Sequence, residues 1–135
     1  MKKSLLPFLL FLSLFLAASS FAGQKRFAAI SQDDLANAIA EQSVTVIDVN
    51  GTNSYKKGHI PGAIDYQSSQ KDLAGLLPED KASLIVAYCA NEACGAYQRA
   101  AKAAVELGYT NVAHYPGGLQ GWKRSGADVE TVKDS

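Results

Sequence analysis

Residues 83–107 read SLIVAYCANEACGAYQRAAKAAVEL, and the order of types within them decides the architecture. Ser83 to Tyr88 is a short, continuous apolar run, the pattern of a strand buried on both faces. It stops at Cys89. From Gly95 to Leu107 the chain is alanine-rich and strongly helix-forming, with Gly108 placed as a C-terminal cap. A buried strand therefore runs through a short loop into a helix, and that loop holds both cysteines of the chain.

The pattern repeats upstream and downstream. Val44 to Val49 is β-branched and apolar and predicts a second buried strand. Ahead of it, Ser31 with Asp33 and Asp34 signals a helix start, and Leu35, Ala38 and Ile39 at helical spacing predict a helix over 31–41. Arg26 to Ile30 reads as a short strand or extended lead. Asn50-Gly51-Thr52-Asn53 is turn chemistry, with room for about one helical turn over 54–57. Gly58 to Ile64 reads as a structured loop entering a short strand, and 67–77 as one helix ended by Pro78. Val112 to Tyr115 predicts a last strand, Pro116-Gly117-Gly118 a turn, 119–123 a helix, and 128–135 a polar tail expected to fray. Continuous apolar strands separated by helices predict a single α/β domain built on a mostly parallel sheet with helices on both faces.

The N-terminus has its own logic. Met1-Lys2-Lys3-Ser4 precedes an apolar run from Leu5 to Ala18, and small residues sit before a cut after Ala22. This is the three-part pattern of a secretory signal peptide over 1–22, shorter than a spanning helix and interrupted by Pro7 and Ser13. The precursor carries 13 bases and 13 acids; removing Lys2 and Lys3 leaves 11 bases against 13 acids. A weakly acidic chain without a basic cluster offers no footprint for nucleic acid or, after cleavage, for a membrane. Residues 23–30 form a lead, 31–127 the domain and 128–135 the tail. Export, to the periplasm or the medium, places both thiols in an oxidising compartment.

In open parallel sheets, ligands bind beyond the carboxyl ends of the strands, where the loop Cys89 to Gly95 lies. A short loop wrapped at a helix N-terminus points backbone N–H groups inward and favours an anion. Cys89 is therefore expected to ionise below the usual thiol value of about 8.5. A thiolate held by N–H groups can attack sulfur, carry it as a persulfide and release it to a second nucleophile. The competing reading is an inert core thiol at a strand end.

Four features in order resemble the rhodanese-like domains. Ile47-Asp48-Val49 resembles the strand end that opens the domain, and Tyr55-Lys56-Lys57-Gly58-His59-Ile60-Pro61-Gly62-Ala63 resembles the first family signature. Val86-Ala87-Tyr88-Cys89 with its loop and helix resembles the active-site segment, and Tyr115-Pro116-Gly117-Gly118-Leu119-Gln120-Gly121-Trp122 the closing signature. The resemblance covers residues 31–127. It implies a sulfurtransferase fold of five parallel strands, with Cys89 at the persulfide-forming position. Loop amides over Ala90, Asn91, Glu92, Ala93, Cys94 and Gly95 would hold the anionic sulfur. Asp48 is expected to brace the loops beside the site. His59, His114 and Trp122 are expected to be structural.

The loop departs from the family in charge. Active members commonly carry a cation there, whereas this loop has none and one acid, Glu92, which would repel thiosulfate; Asn50 stands where arginine is frequent. Arg99 and Lys102, one to two turns into the helix, are the cations that could lean back. No arginine follows the cysteine at the spacing a cysteine phosphatase needs. Cys94 is a gain, placed to close a disulfide with Cys89 or to resolve a persulfide on it. Three functions follow. The first is an exported sulfurtransferase passing sulfane sulfur from Cys89 to a thiol or cyanide; the others are a redox-active dithiol protein using Cys89 and Cys94, and a non-catalytic binding module. The expected partner is a small sulfur-containing anion or low-molecular-weight thiol, with a partner protein left open. No cofactor is expected, and two cysteines with widely spaced His59 and His114 make no metal pattern.

Overall fold

The computed structural model describes residues 26–134. The signal peptide expected over 1–22, the first three residues of the lead, and Ser135 lie outside the described residues. Five strands, β1 (Ala28–Ala29), β2 (Val44–Asp48), β3 (Ile64–Asp65), β4 (Leu84–Tyr88) and β5 (Asn111–His114), form one sheet in the order β1-β5-β4-β2-β3. Every neighbouring pair is parallel. The central strand is β4, the run on which the fold was read.

Alternation along the strands divides the core into two layers. Ile47, Ile85 and Ala87 face one side, where they meet Leu73, Ala100, Ala101 and Ala104; Val46, Val86 and Tyr88 face the other, against Leu35, Ile60, Leu119 and Trp122. Helices α1 (Gln32–Ala40) and α6 (Gly118–Arg124) cover the second face; α4 (Leu73–Leu76) and α5 (Tyr97–Glu106) cover the first. Each fully buried Ile or Val contributes roughly 1.5–3 kcal/mol by leaving water. Ala100, Ala101 and Ala104 are fully buried, so the alanine run provides close helix-to-sheet packing as well as helix propensity. Helix α1 begins where expected: the Ser31 hydroxyl accepts the Asp34 N–H at 3.1 Å, and Asp33 and Asp34 lie in the positive first turn.

Three local expectations are corrected. The turn at 50–53 is shorter than read, because α2 (Thr52–Lys57) already starts at Thr52. The helix predicted over 67–77 is broken into α3 (Tyr66–Ser69), a 3₁₀ turn (Gln70–Asp72) and α4. Its polar first half has no apolar stripe to hold a regular face, and the tighter turn brings Leu73 and Leu77 inward while Leu76 stays exposed. The tail is tied down rather than frayed. His59 and Glu130 exchange backbone hydrogen bonds of 2.9 Å in each direction, and Val132 N–H donates to the Lys56 carbonyl at 3.0 Å. Trp122 adds to this anchoring by donating its ring N–H to the Asp128 carbonyl at 2.7 Å.

Candidate active site

The sheet order puts the C-terminal end of β4 between those of β2 and β5. Cys89, directly after β4, is 2% exposed. The chain then forms a loop that reaches Ala96 before α5 begins at Tyr97, two residues after the helix start expected at Gly95. Asn91 folds this loop back on itself: its side-chain oxygen accepts the Ala93 N–H at 3.0 Å and its carbonyl accepts the Cys94 N–H at 3.2 Å. Cys94, half-buried, thereby comes beside Cys89; both are free thiols, and each influences the ionisation of the other. The Tyr97 N–H, at the start of α5, donates to Cys89 Sγ at 2.9 Å. This is the anion-favouring arrangement of a helix start.

A cavity of about 100 Å³ opens above these sulfurs. Its walls are Cys89, Asn91, Glu92 and Cys94 from the loop, Tyr97 from α5, and His114, Tyr115 and Pro116 from the end of β5. The His114 ring stacks on Tyr97, with centroids 4.3 Å apart and planes 7° from parallel. Its Nδ1 is buried without a hydrogen-bond partner. Sequence reasoning read His114 as a structural residue of a short strand and did not find this wall. The available signal was topological, since β5 pairs with β4 and must end beside it.

Charge on the two sulfurs is distributed differently from expectation. Cys89 is not lowered. Burial pushes it up to about 12, reinforced by the hydrogen bond to Cys94 and by that neighbour's charge, against which the N–H groups of Tyr97 and Ala96 are the weaker influence. Cys94 moves the other way. Burial raises it, but the hydrogen bond from Cys89, the N–H groups of Ala96 and Ala90, and the charge of Arg99 together bring it below the ordinary thiol value. Of the two thiols, Cys94 therefore ionises first and Cys89 keeps its proton longer. Arg99 is the cation that acts here. It also lines a separate cavity of about 280 Å³ with Val49, Asn50, Gly51, Tyr66, Gln67 and Gln70.

The loop is held from behind by α6. Leu119 N–H donates to the Cys89 carbonyl and Gln120 N–H to the Ala90 carbonyl, both at 2.9 Å. Gly118, at φ +62°, sits so close that a Cβ there would lie 2.7 Å from Ala90 C and Asn91 N and 2.8 Å from the Cys89 carbonyl oxygen. The closing glycine therefore serves the cysteine loop directly. Gly117 is crowded by a side chain instead, a Cβ there lying 2.6 Å from the Tyr115 hydroxyl.

Asp48 and His59 lie beneath the loops and do not line the cavity above Cys89. Asp48 is fully buried, accepts from the Tyr88 hydroxyl and accepts the Asn50 N–H at 2.7 Å. Tyr88 in turn accepts the Ile60 N–H at 3.0 Å, so β2, β4 and the Gly58–Ala63 loop meet at one carboxylate. Burial raises the Asp48 carboxyl despite the Tyr88 and Asn50 hydrogen bonds and the charge of His59. His59 is buried, stacks on Tyr55 at 3.7 Å, places Nδ1 2.7 Å from the Tyr55 carbonyl, and holds Nε2 3.6 Å from Glu130. Among the described residues, no group of three His, Cys, Asp or Glu side chains is arranged to hold a metal ion.

Comparison with known proteins places this geometry. Residues 31–125 match the model of the rhodanese-like domain. A thiosulfate:glutathione sulfurtransferase of Saccharomyces cerevisiae is 30% identical over 100 residues, spanning 65% of this chain and 70% of its own. The Alr3790 protein of Anabaena sp. superposes with a TM-score of 0.65 at 25% identity, covering 78% of this chain and 94% of that one. The BH2092 protein of Bacillus halodurans gives 0.61 at 25%, covering 78% and 77%.

Proposed function

Because this chain belongs to the rhodanese-like domain family, we propose that it is a sulfurtransferase in which Cys89 takes sulfane sulfur from a small anionic donor and carries it as a persulfide. The observation that carries this reading is the placement of Cys89: at the end of the central strand, on the wall of a small cavity, with the Tyr97 N–H on its sulfur. The relative that transfers sulfur from thiosulfate to glutathione supports the same chemistry, with a low-molecular-weight thiol as acceptor.

The reaction begins with a proton. Cys94 is the more readily ionised of the two thiols; as a thiolate it takes the proton of Cys89, leaving a Cys89 thiolate and a Cys94 thiol. The thiolate attacks the outer sulfur of the donor; a bond forms between Cys89 Sγ and that sulfur, and sulfite or a sulfinate leaves with the electron pair of the broken bond. The Tyr97 N–H at the start of α5, which donates to Cys89 Sγ, stabilises the anionic persulfide. An acceptor thiolate or cyanide then attacks the outer sulfur and restores Cys89. Glu92 lines the cavity, which favours donors of low charge over the thiosulfate dianion. The charged start, apolar run and small residues of 1–22 support export of the domain to the periplasm or the medium.

Release of the donor's by-product tests the reading. The reduced full chain, mixed with methanethiosulfonate, is expected to release one methanesulfinate per chain, and the Cys89→Ser chain none. No release, or equal release from both, refutes it.

A further inference from the structure

We propose that Cys94 resolves the persulfide formed on Cys89, so that the protein releases the acquired sulfur as hydrosulfide while its two cysteines close a disulfide. This rests on the reading of Cys89 as the sulfur carrier and adds an outcome which that reading does not require.

The first argument is access. Cys89 is 2% exposed, and its cavity of about 100 Å³ is far below the roughly 300–1,000 Å³ of sites that enclose drug-sized ligands. Aromatic and proline side chains, Tyr97, Tyr115 and Pro116, form much of the wall. A small donor anion fits, whereas a peptide-sized thiol is too large to enter whole. Cys94 needs no entry. The Asn91 turn already brings it onto the wall of the same small cavity as Cys89.

The second argument concerns which sulfur is attacked. After sulfur uptake, the Cys94 thiol passes its proton to the outer sulfur of the persulfide, and the Cys94 thiolate attacks Cys89 Sγ. A bond forms between the two cysteine sulfurs, the bond from Cys89 Sγ to the outer sulfur breaks, and that sulfur leaves with the electron pair as hydrosulfide. The sulfane sulfur is reduced and the two thiol sulfurs are oxidised. Attack on the outer sulfur would instead expel the Cys89 thiolate. Burial, the largest influence, pushes that thiol up to about 12, whereas hydrosulfide is a much weaker base; the weaker base leaves faster. An external low-molecular-weight thiol then reduces the disulfide in two exchange steps and emerges as its own disulfide. Cys94, the more exposed of the two, is the sulfur such a thiol reaches.

The test uses the reduced full chain and methanethiosulfonate, whose by-product is a sulfinate and not a thiol. Sulfinate, hydrosulfide, free thiols and intact mass are measured together. The native chain is expected to release one hydrosulfide for each sulfinate, lose both free thiols and finish lighter by two hydrogens. The Cys94→Ser chain is expected to release sulfinate but no hydrosulfide, keeping one extra sulfur until an external thiol is added. A native chain that keeps the extra sulfur, with Cys94 still open to alkylation and no hydrosulfide released, overturns the inference while leaving the sulfurtransferase reading in place. The native thiol count decides this even should the variant not fold. Absence of sulfinate from both chains removes the sulfurtransferase reading, and this inference with it.

Discussion

Replacing Gly118 by alanine isolates the contact through which the closing turn shapes the cysteine loop. Two costs add. The residue sits at φ +62°, a left-handed conformation that costs an L-residue roughly 1–2 kcal/mol. The new Cβ would also lie 2.7–2.8 Å from backbone atoms of Cys89, Ala90 and Asn91, none of which can yield without moving the loop. Moving it disturbs the hydrogen bonds from Leu119 to Cys89 and from Gln120 to Ala90, worth about 0.5–1.5 kcal/mol each. The total is about 2–5 kcal/mol. Gly62 is the internal control, since it also has a positive φ, +77°, but nothing lies within 4 Å of its would-be Cβ. Gly62→Ala should therefore cost only the conformational part, roughly 1–2 kcal/mol. Urea unfolding of both variants and the native chain measures the difference directly, with thermal unfolding expected to shift by roughly 4 °C per kcal/mol for a domain of this size. Gly118→Ala should also lose sulfur uptake out of proportion to its loss of stability, whereas Gly62→Ala keeps it. Equal destabilisation by the two substitutions would refute the contact argument.

Other consequences follow from the charges. Iodoacetamide at neutral pH should label Cys94 faster than Cys89 in the peptide map, because Cys94 ionises more readily and is the more exposed. In Cys94→Ser, where the neighbouring charge that raises Cys89 is gone, Cys89 labelling should begin at lower pH than in the native chain; an unchanged onset contradicts the coupling. Asp48 gives a stability signature. Burial raises its carboxyl above 3.8 in the fold, so between 3.8 and the folded value the native state binds more protons than the unfolded state. Its contribution is present below 3.8 and is lost as pH rises through the folded value. The difference in unfolding free energy between the native chain and Asp48→Asn should fall with rising pH across that acid interval, and a flat difference would count against a raised carboxyl. Glu92→Gln should increase kcat/KM for thiosulfate roughly fivefold at low salt, the value of about 1 kcal/mol of like-charge repulsion near water. The gain should shrink at high salt; no gain at low salt would show that Glu92 does not face the donor.

What could be read from the chain depended on how local its cause was. The β4 run, the capped helix after Ser31 and the alanine-rich α5 are set by near neighbours in sequence, and β2 beside β4 carries a similar apolar, β-branched pattern. The broken segment over 66–76 was misread because its regularity depends on where Leu73 and Leu77 must reach the core. The tail looked free because its partners, Lys56 and His59, lie over seventy residues away. The position of Cys89 was legible in the strand-loop-helix order. Its charge was not, since the sign of that shift comes from burial beneath Tyr97, His114 and Tyr115 and from a second thiol folded onto it by Asn91. The reason for Gly118 was equally hidden, because the atoms that exclude a side chain there belong to another loop.

The central claim is that Cys89 is the sulfur that receives. Cys94→Ser chain treated with methanethiosulfonate, cleared of donor and digested without reductant, allows the added sulfur to be located by peptide mass. The account predicts one extra sulfur on the peptide that carries Cys89 and none elsewhere. A chain that gains no sulfur, or gains it on any other peptide, contradicts it.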